Sequence, residues 1–200
     1  MALLGEHLHL FQEILAIPEV IAAPVLMFGF QEVRTNESAP PEYRCSSLLE
    51  FFQMRGMARE QIKSIDLFDP RADYRYDMNQ PIPESLHESC STFIDLGSLE
   101  HIFDTRVALE NCLRSIRVGG HYILHTPVHG FSGHGFHVFD PKALTGALEL
   151  NNFVLRYQRY SAGDGRILSE PIGDTLLWLV ARKVGPSPVQ FQCPQQQFRY

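Results

Sequence analysis

The pattern of hydrophobic and polar positions predicts short buried strands that alternate with amphipathic helices. An N-terminal helix within residues 1–20 is predicted by apolar residues at helical spacing: Leu4, Leu8, Phe11 and Leu15. Apolar runs that end in a turn residue predict strands at 24–29, 62–68, 91–96 and 121–126. Two further strands are predicted at 153–160 and 175–182. Such an alternation of strands and helices is typical of a mostly parallel sheet covered on both faces.

Helix starts are indicated by residues suited to capping. Asp104 or Thr105 precedes a segment with apolar residues at helical spacing, and Asp140 precedes Pro141, which favours the first position of a helix. Ser47 with Glu50 matches a capping box. We therefore expect one domain over residues 1–184, followed by a Pro- and Gln-rich tail over residues 185–200.

Composition and charge narrow the class of protein. The net charge of -6 argues against a general nucleic-acid or anionic-membrane surface. No apolar run reaches the roughly 18 residues that span a bilayer, and no signal peptide is apparent. The four cysteines are scattered, which favours free thiols in a reducing compartment. We expect a cytoplasmic protein that binds a small molecule and neither nucleic acid nor membrane; the oligomeric state stays open.

Polar or small residues follow each predicted strand. Gly29 follows the first strand, Asp66 lies at the end of the second, and Gly97 follows the strand at 91–96. Asp77 and Met78 come after a short extended segment around Tyr74 to Tyr76. In open α/β sheets, ligands bind outside the carboxyl ends of the strands. A carboxylate at Asp66 is suited to accept hydrogen bonds from ribose hydroxyls, and Met78 to pack against a base.

With these residues in place, the sequence resembles the class I S-adenosylmethionine-dependent methyltransferases in their small "type 11" form. The likeness is strongest over Ser91 to Thr126, where Asp95-Leu96-Gly97-Ser98-Leu99-Glu100-His101 matches the fourth strand and its Leu-Glu-His segment. Arg117-Val118-Gly119-Gly120 matches a "Lys-Pro-Gly-Gly" turn, with Val118 in place of proline. A weaker likeness covers about residues 20 to 182.

This resemblance implies a three-layer α/β sandwich with a mostly parallel, Rossmann-like sheet and an antiparallel C-terminal strand. It implies S-adenosylmethionine as cofactor and S-adenosylhomocysteine as product. Asp66 would hold the ribose, Asp77 and Met78 the adenine, and the segment near Gly29 would lie under the methionine half. The predicted cofactor-binding residues are Phe28, Gly29, Asp66, Leu67, Asp77, Met78 and Gly97.

Two departures from the family pattern concern the cofactor half. The glycine-rich loop is reduced to Phe28-Gly29-Phe30-Gln31-Glu32, with a single glycine between two phenylalanines. Asp66 and Asp77 are too close in sequence for a full crossover helix, which needs about a dozen residues or more. We therefore expect a third strand that is short or absent, and one flanking helix fewer.

A segment rich in histidine and glycine follows the predicted strand at 121–126. His129, His134 and His137 are candidate catalytic or acceptor-binding residues, because histidine transfers protons near neutral pH. Two other interpretations stay open: the same histidines hydrogen-bond a tight loop, or they bind a metal as three-histidine sites do. Their spacing matches no HExxH-type pattern, so we predict no metal. His101 is interpreted as structural.

The leading hypothesis is a methyltransferase that acts on a small-molecule acceptor, such as a hydroxyl of a sugar or natural product. The first alternative is a catalytically inactive methyltransferase-like domain that serves as a binding or scaffold module, because the glycine loop is reduced. The second is a metal-dependent hydrolase that uses His129, His134 and His137.

Overall fold

A computed structural model describes residues 2–195 of the 200-residue chain. Met1 and residues 196–200, the end of the predicted tail, lie outside the described residues. The strands are β1 (Ala2–Leu4), β2 (Val25–Phe28), β3 (Glu32–Arg34), β4 (Ile62–Ile65), β5 (Cys90–Leu96), β6 (Ile116–His129), β7 (Phe153–Ala162), β8 (Ile167–Leu168) and β9 (Thr175–Lys183). The α-helices are α1 (Leu8–Leu15), α2 (Leu48–Met54), α3 (Thr105–Ser115) and α4 (Pro141–Leu150). Single-turn helices cover Gly5–His7, Pro41–Tyr43, Arg59–Gln61, Glu84–Leu86 and Leu99–His101.

The main sheet has seven strands in the order β4-β2-β5-β6-β9-β7-β8. The pairs among β4, β2, β5 and β6 are parallel, whereas β9 runs antiparallel to both β6 and β7. The predicted fold class, a mostly parallel Rossmann-like sheet that ends in antiparallel strands, is confirmed.

Helices cover both faces of this sheet, and each face has its own hydrophobic core. Side chains of α3 and α4 pack on one face, around Phe93, Tyr122 and Leu124. Side chains of α1 and α2 pack on the other, around Ile94, Ile123 and Trp178. Every residue of β5 is buried, as expected for a central parallel strand. The carboxyl edge of the parallel strands is therefore the place where polar side chains can reach a ligand.

The predicted helix starts at Asp104 and Asp140 are confirmed. The Asp104 side chain accepts a hydrogen bond from the Val107 amide at 3.1 Å, and that of Asp140 accepts from the Lys142 and Ala143 amides. Both carboxylates satisfy amides that have no partner within the first helical turn.

Several predicted elements have different limits in the structure, and the strand predicted at 121–126 extends over Ile116–His129. The predicted N-terminal helix is only α1, because Leu4 belongs to β1, which pairs in parallel with β3. The buried face of α1 consists of Leu8, Leu10, Phe11 and Ile14. The strand predicted at 62–68 ends at Ile65, where the side chain of Asp66 turns the chain.

The third strand of the methyltransferase family pattern is reduced to one isolated bridge, as predicted. Tyr74 forms an isolated parallel bridge with Ile65, in which the Tyr74 amide donates to Ser64 and the Asp66 amide donates to Tyr74. The connection from Leu67 to Tyr76 contains no helix. The part of the chain predicted to bind adenine is thus irregular and not a regular strand.

The C-terminal segment lies on the face of α3 and α4. The Asn151 side chain exchanges two hydrogen bonds with the main chain of Gln192, and Arg114 donates to the main-chain oxygens of Pro188 and Val189. No disulfide forms among the described residues, and all four cysteines are free thiols. None of the described helices has both the length and the apolar character needed to cross a membrane.

Candidate functional site

A cleft of about 500 Å³ opens at the carboxyl ends of β2, β4 and β5. Six of the seven predicted cofactor-binding residues line it, and Gly97 does not. Its lining is Phe28, Gly29, Asp66, Leu67, Phe68, Tyr76, Asp77, Met78, Asn79, Ser98, His101, Ile102 and Phe136. Pockets that bind small organic molecules have volumes of about 300–1,000 Å³. The cleft therefore has the size and position of a site for a small organic molecule.

The first wall of the cleft is the turn after β2. Gly29 has a φ of 78°, in the left-handed region that favours glycine, and its amide donates to the Ile65 carbonyl at 2.7 Å. The Phe28 carbonyl accepts hydrogen bonds from the Ser98 hydroxyl at 2.6 Å and from the Gln31 side-chain amide. Hydrogen bonds thus fix this turn between its two neighbouring strands.

The two phenylalanines beside Gly29 do not block the cleft. Phe28 is buried in the core below, and Phe30 is not among the lining residues. The Arg71 guanidinium covers the Phe30 ring, 4.1 Å from its centroid, and forms ion pairs with Glu32 and Asp69. This cation–π contact holds the Phe30 ring against the connection after β4.

Asp66 directly follows β4, and its half-buried side chain lines the cleft. One carboxylate oxygen accepts from the Phe68 and Asp69 amides at 2.8 and 3.0 Å. The other accepts from the Phe30 amide at 3.3 Å. A carboxylate has about four acceptor sites, so Asp66 keeps capacity for one more donor.

Asp77, Met78 and Asn79 form the opposite wall. The Asp77 carboxylate accepts from both the side chain and the main-chain amide of Asn79, and these hydrogen bonds lower its pKa. Met78 is only 2% exposed, and Asn111 donates from its side-chain amide to the Met78 carbonyl at 3.3 Å. This wall therefore combines a carboxylate that stays charged near neutral pH with an apolar thioether.

The turn after β5 shapes the floor of the cleft. Gly97 has a φ of 94°, a left-handed conformation that favours glycine at this position. The next residue, Ser98, lines the cleft. Asp95 is fully buried, and its carboxylate accepts from the Ser98 amide at 2.7 Å. Burial raises the pKa of Asp95 to about 8. Gly97 is thus a turn residue of the floor, and its predicted contact with cofactor stays a prediction.

One carboxylate and two imidazoles meet at the edge of the cleft. Ligand atoms of Glu100, His101 and His134 all lie within 4.8 Å of one another. Burial raises the pKa of Glu100 to about 7, and one of its oxygens accepts from the Thr126 hydroxyl at 3.1 Å. Burial also lowers the pKa of His101, whose ring lines the cleft.

The three histidines predicted as catalytic residues are not brought together. His129 Nδ1 donates to the Gly173 carbonyl at 2.7 Å, and His137 Nε2 donates to the Phe103 carbonyl at 3.1 Å. Among residues 2–195, they form no group within metal-ligand reach, so the predicted three-histidine metal alternative is wrong. His134 alone lies beside the cleft, with its ring centroid 5.2 Å from that of His101.

Several lining residues of the cleft lie outside the predicted cofactor-binding set. Ser98, Asn79 and Tyr76 line the cleft, and His101, interpreted from the sequence as structural, lines it as well. The exposed rings of Phe68 and Phe136 stand at its rim. The available sequence signal for His101 was its position directly after the turn that ends β5.

Comparison with known proteins gives a likeness of fold only. No protein-family model matches the sequence, and neither does any curated protein. Among solved structures, the N-methyltransferase NodS from Bradyrhizobium japonicum WM9 is 14% identical, with a TM-score of 0.55 over 90% of this chain and 94% of that one.

Two further structures extend this likeness. An S-adenosylmethionine-dependent methyltransferase from Mesorhizobium loti is 12% identical, with a TM-score of 0.51 over 86% of this chain and 96% of that one. A 16S rRNA (adenine(1408)-N(1))-methyltransferase from Catenulisporales acidiphilia is 12% identical, with a TM-score of 0.51 over 88% of this chain and 94% of that one. Because the fold also occurs in an rRNA methyltransferase, the predicted exclusion of nucleic acid is not supported. The chain has the fold of the class I S-adenosylmethionine-dependent methyltransferases.

Proposed function

We propose that this protein is an S-adenosylmethionine-dependent methyltransferase that acts on a small-molecule acceptor. The observation that carries this proposal is the open cleft at the carboxyl ends of β2, β4 and β5, with Asp66 on one wall and Met78 on the other. Ligand sites in open α/β sheets lie at this edge. An inactive scaffold with a filled pocket would not keep such a cavity.

The residues of the cleft fit the parts of the cofactor. The spare acceptor capacity of Asp66 suits a ribose hydroxyl. The thioether of Met78 offers a polarizable surface to the adenine ring, and Asp77 lies next to it. At Gly29 the absence of a Cβ allows the methionine half to approach the main chain.

When bound, S-adenosylmethionine supplies an activated methyl group, so the chain contributes mainly position and orientation. For a hydroxyl acceptor, the residues of the cleft would have to hold the acceptor oxygen in line with the methyl group, so that transfer leaves the electron pair of the broken bond on the cofactor sulfur. The acceptor hydroxyl loses its proton to a base. Of the three predicted histidines, His134 lies nearest to the lining residue His101 and is the candidate for that base.

The rim of the cleft favours an organic acceptor. Phe68 is 83% exposed and Phe136 is 68% exposed, although both border the cavity. Exposed aromatic side chains at a cavity mouth are typical of surfaces that a bound molecule covers. We propose a hydroxyl of a sugar or a natural product as the acceptor group.

Binding of S-adenosylhomocysteine tests the proposal. We expect the ligand to raise the melting temperature of the wild type, since a ligand at 100 times its Kd stabilises the folded state by about 2.7 kcal/mol. We expect Asp66→Ala to remove this shift. Asp66→Asn can still accept from the Phe68 and Asp69 amides, so this variant separates the loss of ligand binding from the loss of the turn. Asp164→Ala, in the turn before β8, is the matched control. A wild type that shows no shift at millimolar ligand would favour the scaffold alternative.

A further inference from the structure

We propose that Glu100, His101 and His134 bind one divalent transition-metal ion at the edge of the cleft. The three side chains offer one carboxylate oxygen and two imidazole nitrogens, all within 4.8 Å of one another. Carboxylate and imidazole together suit Zn²⁺, Fe²⁺, Co²⁺ and Mn²⁺ more than the oxygen-preferring Mg²⁺ and Ca²⁺. This site was not anticipated by the histidine spacing in the sequence.

The ligand atoms are too far apart for direct hydrogen bonds but close to the separations of ligands around one ion. His134 Nε2 lies 4.0 Å from a Glu100 carboxylate oxygen, which is too far for a hydrogen bond. Tetrahedral ligands that each lie about 2.1 Å from one zinc ion are about 3.4 Å apart, so the three ligand atoms need to close in only slightly to share an ion. The His134 side chain is 51% exposed, so a small rotation can bring its nitrogen closer.

The burial of Glu100 provides an independent reason for a cation. Its side chain is 2% exposed, and within residues 2–195 no lysine or arginine forms an ion pair with it. A buried carboxylate without a cationic partner is costly. One oxygen accepts from the Thr126 hydroxyl, while the other faces His134. A metal ion there would neutralise the carboxylate, and Thr126 would orient it from behind.

The loop that carries His134 is fastened to Glu100 by its main chain. The Phe136 and His137 amides both donate to the Glu100 carbonyl, at 2.9 and 3.2 Å. A Cβ at Gly135 would lie 2.9 Å from that carbonyl oxygen and 3.2 Å from the Glu100 Cγ atom. The approach of His134 to Glu100 therefore depends on a glycine at position 135.

Three protein ligands leave a coordination position free, as in catalytic zinc sites. Since His101 lines the cleft, an ion bound to it borders the space proposed for the acceptor. We infer that the free position takes an oxygen of the acceptor, a step that rests on the proposed function. With the ion bound, His134 would be a metal ligand and not the base proposed for the metal-free site, because a metal-bound nitrogen has no free electron pair for a proton. The ion would instead lower the pKa of the bound acceptor hydroxyl, whose proton would pass to solvent.

Metal binding can be measured without any methyl transfer. Untagged full-length protein is stripped with a chelator and titrated with Co²⁺ and with Zn²⁺, following visible absorption for cobalt and heat for zinc. We expect one ion per chain. Glu100→Gln and His134→Gln weaken binding at least tenfold, in line with the roughly 10–100-fold losses seen when only supporting groups around a metal are removed. His129→Ala, whose ring instead contacts Gly173, is the matched control and keeps the wild-type affinity.

Gly135→Ala tests the loop itself. The variant keeps all three ligand side chains, but its Cβ pushes the loop that carries His134 away from Glu100. We expect weaker cobalt binding in this variant with little change in its circular dichroism spectrum. Absence of stoichiometric binding in the wild type, or full binding in both Glu100→Gln and His134→Gln, overturns the metal site. Protein that binds S-adenosylhomocysteine but no metal refutes only this inference, whereas protein that binds metal but no S-adenosylhomocysteine refutes only the proposed function.

Discussion

Asn111 on α3 supports the main chain around Met78, although the two residues are far apart in sequence. Its side-chain amide nitrogen donates to the Met78 and Gln80 carbonyls at 3.3 and 2.8 Å. Its side-chain oxygen accepts from the Ile82 amide at 3.0 Å. A single buried side chain thus positions the wall of the cleft that we propose for adenine.

Replacement of this amide should loosen that wall. Asn111→Ala leaves three main-chain groups without their partner, and the two buried ones, the Ile82 amide and the Met78 carbonyl, cost about 1–3 kcal/mol each before relaxation or hydration. We expect a lower free energy of unfolding in urea and a weaker affinity for S-adenosylhomocysteine by calorimetry. Gln80→Ala is the control, because Asn111 contacts only the main chain of Gln80. Equal loss of affinity in both variants would contradict this role.

The left-handed conformation of Gly29 makes a second prediction. Gly29→Ala places a Cβ at a φ of 78° and costs about 1–2 kcal/mol. Because Gly29 lines the cleft, a strained turn there also alters the wall of the proposed site, and we expect the thermal shift with S-adenosylhomocysteine to shrink. Gly163→Ala is the comparison, since a Cβ there meets open space. The prediction fails if Gly29→Ala keeps both the stability and the ligand shift of the wild type.

The buried imidazole of His125 predicts a pH dependence of stability. Both ring nitrogens are buried without a hydrogen-bond partner among the described residues, and burial lowers the pKa to about 3. Below a pH of about 6.5, His125 is protonated in the unfolded chain but stays neutral in the folded chain. Stability is therefore lost as pH falls from about 6.5 towards 3, by up to about 1.4 kcal/mol per pH unit from this group.

His125→Phe removes this titration and keeps an aromatic ring beside Trp178. We expect urea unfolding between pH 4 and pH 6.5 to depend less steeply on pH in the variant than in the wild type. The buried carboxyl of Asp95, with its raised pKa, acts in the opposite direction and is present in both proteins. Identical slopes for the two proteins would show that His125 titrates normally.

Lys183 supports the end of α3 from inside the core. Its side chain is fully buried on β9, and its Nζ atom donates to the Ile116 carbonyl at 2.6 Å and lies 3.4 Å from Glu88. Burial lowers its pKa. Lys183→Met leaves the carbonyl unsatisfied, and we expect a loss of about 1–3 kcal/mol in chemical unfolding. Lys142→Met, at the exposed start of α4, should change stability by less than about 0.5 kcal/mol.

Much of the fold could be predicted because its signals are local. Asp104 and Asp140 cap helices by contacts within three residues, and the apolar run of β5 fits a strand buried on both faces. The positions of Asp66 and Met78 in one cleft also follow from the sequence. Parallel strands bring their carboxyl ends to the same edge of a sheet.

Contacts between distant segments could not be predicted in the same way. Leu4 fits both a helical stripe and a strand, and its pairing with Arg34 in the small sheet decides between them. The approach of His134 to His101 depends on hydrogen bonds from the loop to the Glu100 carbonyl. No short-range spacing encodes that contact, and proximity in sequence alone groups His134 with His129 and His137 instead.

The short connection from Leu67 to Tyr76 has a consequence for how proteins of this fold can diverge. It ends the sheet at a single bridge and also borders the cleft. Surface connections tolerate insertions and deletions far better than the strands they join. Under the proposed function, the residues that contact the cofactor at this end can therefore change independently of the sheet, so that proteins with the same sheet would differ widely in their affinity for the cofactor.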